Sequence, residues 1–221
     1  MIVLCVAALA TQSPLDEGTF VVREDTTEIA RESFRLAPAR VGLGTAGWSI
    51  ATSIRYDRGR PIITLAPAVT VQGDSQPLSL EFDVGDPRDP QRILGQAARG
   101  RFTIRMLGRR TERARELPVT GPTVVLDDSV YALYAFIAWR ARAQPAAVTA
   151  LLPRAGRREP LTVQDAGSEA TTLNRDPATL RHILVSGGTN QLVHLWVDAN
   201  GRLLKIEIPS RRLRIERLPP A

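Results

Sequence analysis

The stretch VHLWVDANGRLLKIEIP, residues 193–209, decides the fold class. Val193, Leu195 and Val197 alternate with His194, Trp196 and Asp198. That period of two marks a strand with two different faces. Asp198-Ala199-Asn200-Gly201 follows, and asparagine and glycine tolerate the positive φ of a tight reversal. The return strand sets Leu204, Ile206 and Ile208 against Leu203, Lys205 and Glu207; Pro209 ends it, because proline cannot donate to a ladder. A helix would need apolar residues three and four apart. The segment reads as a β-hairpin.

Working outward, the same alternation predicts strands over most of the chain. They fall at 19–24 and 28–36 around Asp25-Thr26-Thr27, at 48–56 after the link VGLGTAG, and at 61–71 and 77–84. Phe102, Ile104 and Met106 alternate with Thr103, Arg105 and Leu107, and a charged partner strand runs through Leu117. Between these pairs, GDPRDPQRILGQAARG reads as a polar loop with a helical turn near 91–98. Strands resume at 147–152, 161–165 and 181–186, and RRLRIER makes a short last one.

One segment breaks the pattern. LDDSVYALYAFIAWRARA, residues 126–143, places Val130, Leu133, Tyr134, Ile137 and Ala141 at helical spacing. Asp127, Asp128 and Ser129 are N-cap candidates, and arginines at the far end suit the helix dipole. The spacing predicts one helix over 129–143, apolar around much of its circumference, which must be covered. The fold expected is therefore mainly β: a large curved antiparallel sheet, a half-barrel of about a dozen strands, enclosing one apolar helix in a single domain over 18–217.

Composition narrows the function classes. The chain has 221 residues and a net charge of +6, but of its 29 basic residues only Lys205 is a lysine, and the arginines are scattered along strands. Aromatics make up 5%, too few for base-stacking platforms, so nucleic acid is not an expected partner. The apolar run over 2–10 ends in Ala8-Leu9-Ala10, the small-x-small pattern of a secretory cleavage site, and is too short to span a bilayer. A signal peptide over 1–10 and a periplasmic or secreted address are expected. Cleavage there removes Cys5, the single cysteine, and with it disulfides, thiol nucleophiles and cysteine metal sites.

The opening F-x-V…E-x-F pair (Phe20, Val22, Glu32, Phe34), the central LDDSVYALYAF and the closing WVDANGRLLKIEIP resemble uncharacterised exported bacterial envelope proteins. Those are similar in architecture to the lipoprotein-carrier half-barrels, in which a curved sheet cups acyl chains beneath a helical lid. The resemblance spans most of residues 18–217 and implies a concave sheet that holds a hydrophobic ligand such as a lipid.

No catalytic motif competes with that reading. Asp127 and Asp128 could share a proton or hold a hard cation, but adjacent residues point in different directions, so capping is the simpler role. His182 and His194 sit in predicted strands without metal-ligand spacing. VSGGTNQ, residues 185–191, lacks the lysine and following helix of a phosphate loop and reads as a hairpin turn. The expected protein is non-enzymatic, needs neither cofactor nor metal, and lines its ligand site with Tyr131, Ala135, Trp139 and Trp196. The alternatives are an exported hydrolase using Asp127 or Asp128, and an envelope assembly partner presenting a sheet edge.

Overall fold

Among the described residues the period-two pattern builds fifteen strands in one sheet. A computed structural model describes residues 15–41, 45–58 and 60–219, so the export signal and Cys5 lie outside the described residues. The first half runs β1 (Asp16–Glu24), β2 (Thr27–Val41), β3 (Thr45–Tyr56), β4 (Ile63–Gln72), β5 (Pro77–Gly85), β6 (Gln91–Ala98), β7 (Arg101–Gly108) and β8 (Glu112–Pro118). Next come β9 (Thr123–Val125), the helix α1 (Tyr134–Ala138), β10 (Ala146–Leu152), β11 (Arg157–Leu173) and β12 (Asp176–Gly187). The chain closes with β13 (Leu192–Val197), β14 (Leu203–Ile208) and β15 (Leu213–Arg217).

The order across the sheet is β8-β7-β6-β5-β4-β3-β2-β1-β15-β14-β13-β12-β11-β10-β9. Every neighbour is antiparallel except β9, which lies parallel to β10. The sheet is thus two meanders joined where β1 meets β15, with Val22 opposite Ile215 and Phe20 opposite Arg217.

Transverse rows of register partners show how alternation becomes a core. Ile183, Leu195, Ile206, Ile215, Val22 and Ala30 stand side by side on six strands, all buried on the inner face. The adjacent row holds His182, Trp196, Lys205, Glu216, Val21 and Arg31, and points outward. A one-residue slip would exchange the two rows, which is why a sheet with one buried face specifies its register strongly.

The opening hairpin forms as expected, with two adjustments. Asp198 Oδ1 accepts the Asn200 and Arg202 amides at 2.8 and 2.9 Å, and Gly201, at φ 77°, alone takes the left-handed conformation. A bulge then lets the pairing step from Lys205 opposite Trp196 to Leu203 opposite Val197. Leu203 therefore enters the core, and Leu204, expected beside Ile206 and Ile208, is left half-buried on the outside.

Two expectations need correction. Residues 91–98 form strand β6 rather than a loop with a helical turn, since Ile93 and Gly95 face inward against Phe82, Leu80 and Phe102. The helix predicted over 129–143 shrinks to the five residues of α1. Around it the chain makes tight i to i+3 turns, including Tyr134 N to Tyr131 O, Phe136 N to Leu133 O and Arg140 N to Ile137 O. The segment is apolar on all sides, as read: Val130 to Ala138 are all buried. It fills the concave face of the sheet.

Candidate functional site

A buried segment must satisfy its backbone, and an α-helix of five residues leaves most of that work undone. The missing partner is Glu32, an inward position on β2 between Ala30 and Phe34. Its carboxylate is fully buried; Oε2 accepts the Tyr131 amide at 2.9 Å and Oε1 accepts the Ala132 amide at 3.0 Å. Thr52 Oγ1, on β3, donates to Oε1 at 2.7 Å and also lies 3.0 Å from the Ser33 carbonyl. A strand carboxylate thus takes the place of the helix caps expected from Asp127, Asp128 and Ser129.

The residue before α1 makes no side-chain cap, which corrects those assignments. Asp127 instead accepts the Ser129 amide at 2.9 Å and receives both Nε and Nη2 of Arg154, at 2.6 and 2.5 Å. Asp128 offers its backbone carbonyl to Arg211. Tyr56 donates to the Ser129 carbonyl at 2.8 Å, with Tyr131 Oη 3.4 Å away, and Asn190 reaches Tyr134 Oη at 3.3 Å.

Burial governs the electrostatics here. Desolvation pushes the Glu32 carboxyl up to about 7, against the pull of its three hydrogen-bond donors. Burial likewise raises the phenols of Tyr131 and Tyr134. Thr52 serves both protonation states of Glu32. It donates to the carboxylate, or it accepts the acid proton and turns its own hydroxyl to the Ser33 carbonyl. These groups fasten the segment, and among the described residues no set of three or more His, Cys, Asp or Glu could hold a metal.

The four residues expected to line a ligand site separate. Tyr131 and Ala135 are buried within the segment and do not line the small void between Tyr134 and β10–β13, which holds about 20 Å³, room for one water and no acyl chain. Trp139 lies at one mouth of the sheet, edge-on to Trp48 and Phe136, and lines a pocket of about 290 Å³ with Arg140 and Arg142. Trp196 is on the other face altogether, in the outward row.

That outer face carries a feature the sequence reading missed. β11 and β12 form a hairpin far longer than the strands expected at 161–165 and 181–186. A bulge between Asp165 and Gly167, with Gly167 at φ 88°, lets its outer half leave the sheet. The arm crosses the strands in turn. Glu169 takes the Trp196 indole N–H at 3.1 Å, Thr171 takes Lys205 Nζ at 2.9 Å, and Asn174 meets Glu216 at 3.3 Å and the Arg217 carbonyl at 2.8 Å. Beneath it Trp196, Lys205 and Glu216 are only 4%, 3% and 6% exposed. Lys205 sits 4.5 Å from the Trp196 ring centre and 3.0 Å from Glu207. His182, His194 and Trp196 pack their rings against one another, with centroids 4.8–5.7 Å apart, and His182 is bonded to Glu169 at 2.7 Å and to His194 at 3.0 Å.

Past the arm tip the outer face opens into a cleft of about 800 Å³. Leu173 and Ala178 from the arm, Leu204 from the bulged β14, and Leu15 and Leu218 from the sheet's seam line it. Leu15 is 47% exposed. Arg217, at the floor, is taken up by Asp16 at 2.7 and 3.0 Å. The remaining charges are Glu17, Asp176 and Asp198 against Arg202, an acidic balance.

These features define a β-barrel-like protein: a large open curved sheet around a buried segment. Solved structures agree on the fold. The chain is similar to a β-barrel-like protein of the domain of unknown function DUF1849 from Brucella abortus, at TM-score 0.55 and 10% identity over 93% of this chain and 98% of that one. It is also similar to a DUF1089-family protein from Pseudomonas aeruginosa, at TM-score 0.50 and 16% identity over 80% and 90%. No protein-family model and no curated protein matches the sequence.

Proposed function

We propose that the chain is an exported, non-enzymatic binding protein for an amphiphile with an alkyl or acyl chain. The ligand lies in the outer cleft rather than in the concave face, because residues 126–141 occupy the concave face. The observation that carries this reading is the cleft of about 800 Å³ with leucines on three sides, large enough for a lipid-sized guest. Each methylene taken from water is worth about 0.8 kcal/mol, so each added methylene tightens binding about fourfold. The acidic balance of Glu17, Asp176 and Asp198 against Arg202 favours a zwitterionic, cationic or neutral head over a free fatty acid. The export expectation is supported by the apolar run over 2–10 and its small-x-small end at Ala8-Leu9-Ala10.

The test is calorimetric titration of a chain starting at Thr11 with C8, C10 and C12 phosphocholines below their micellar concentrations. Saturable binding that tightens with chain length is expected, with Leu173→Glu weakening it at least tenfold. No saturation in the series, or unchanged binding in the variant, refutes the proposal.

A further inference from the structure

At the mouth where the buried segment leaves the sheet, Arg140 stands apart from the other arginines. Its Nε and Nη2 are buried, and neither has a hydrogen-bond partner among the described residues. Those two atoms form one edge of the guanidinium, the edge that receives a carboxylate or phosphate through two parallel bonds. The same chain uses this edge elsewhere: Arg154 gives Nε and Nη2 to Asp127, and Arg157 gives both to Glu159 at 3.1 and 2.7 Å. Arg140 is half-buried, but buried donor atoms without an acceptor are costly, and folded chains rarely leave them idle.

Arg140 lines the pocket of about 290 Å³ that Trp139 also lines. Arg142 adds a second cation, held in place by Nη1 on the Trp139 and Ala141 carbonyls at 3.1 and 2.8 Å. Burial lowers the pKa of the Arg140 guanidinium, and Asp74, the one acid among the described lining residues, partly offsets this without bonding to it. Two cations and one carboxylate leave a single positive charge. Pro122, Ala147 and the Trp139 ring supply apolar wall. Both edge atoms are buried in the unliganded chain, so binding requires the Arg140 side chain to turn this edge toward the guest.

We propose that this pocket binds a singly charged oxyanion, a carboxylate or a phosphodiester, carried on a small apolar body, with Arg140 as its bidentate donor. The site shares no residue with the outer cleft and does not depend on it.

The experiment titrates the full chain with octanoate, dibutyl phosphate, inorganic phosphate and octanamide, following tryptophan emission and heat. Octanoate or dibutyl phosphate should saturate the site, and which is tighter tells carboxylate from phosphodiester. Octanamide, isosteric but uncharged, should bind at least tenfold more weakly, and inorganic phosphate, lacking the apolar body, likewise. Arg140→Met should weaken binding at least tenfold and Arg140→Lys by less. Leu173→Glu, which disables the outer cleft, should leave this binding unchanged, so the two sites fail separately. No saturation by either organic anion up to 10 mM, or equal binding by Arg140→Met, overturns the proposal; so does preference for octanamide.

Discussion

Replacing Glu32 by glutamine tests the fastening of the buried segment with a pH dependence of known sign. In the folded protein the carboxyl keeps its proton up to about 7, whereas in the unfolded chain it releases it near 4.5. Between these values the folded state binds more protons, so the contribution of Glu32 is fully present below 4.5 and is lost as the pH rises through 7. At about 1.4 kcal/mol per pH unit, the loss amounts to about 3 kcal/mol. Glutamine does not titrate, so the variant lacks this component. At pH 5 it should be less stable than the parent by about 1–3 kcal/mol, because its amide group presents donors where the Tyr131 and Ala132 N–H groups need acceptors. At pH 8.5 that difference should shrink by about 3 kcal/mol and can change sign. Taking the difference between variant and parent at each pH cancels every other titrating group. The measurement is urea unfolding followed by far-UV circular dichroism at pH 5, 6.5 and 8.5. A difference that stays constant within about 0.5 kcal/mol refutes the reasoning, as it would mean that Glu32 does not change protonation on unfolding in this range.

Leu133, fully buried in the segment, should cost about 2–5 kcal/mol on truncation to alanine, and a loss below about 0.5 kcal/mol in chemical denaturation would show that the segment does not pack the sheet. Asp127→Ala should cost about 1–3 kcal/mol through the loss of Arg154 and the Ser129 amide, while Asp128→Ala should stay within about 0.5 kcal/mol; the reverse order would restore Asp128 as the cap. Gly167→Val should unseat the arm, since valine resists a φ of 88°. The readouts are a red-shifted Trp196 emission and faster proteolysis between Asp165 and Arg181, and unchanged spectra would contradict the hinge.

The sheet was legible because its inner face is buried along most strands, and a buried face imposes alternation. The hairpin, the turn at 188–191 and nearly every strand follow from it. β6 escaped because Gly95 and the small residues after it, which fit against Phe102 and Leu80, weaken the apolar signal. The arm escaped because residues 166–179 are polar or small on both sides, apart from Leu173, and the burial they provide belongs to Trp196 and Lys205. The apolar character of 130–138 was readable but its conformation was not: the N–H partners that set it come from Glu32, 99 and 100 residues away. One sign was present in β2, where an acid occupies the inward register between Ala30 and Phe34. Trp196 illustrates the limit of reading one strand at a time. Its position opposite Leu195 was plain, but the layer that covers it comes from another hairpin.

The seam between β1 and β15 has a consequence for how the molecule is made. Ribosomal synthesis delivers the first strand long before its second partner: Asp16 and the Arg217 that binds it are 201 residues apart. Each meander can zip locally, hairpin by hairpin, but the seam waits for the whole chain, and closing so long a loop costs entropy that only the completed ladder returns. Until then β1 is an unpaired edge and the inner surface lacks half its walls. Joining residues 15 and 218 and opening the chain between β8 and β9 would turn this last contact into an early one, and such a permutant should reach the same sheet faster.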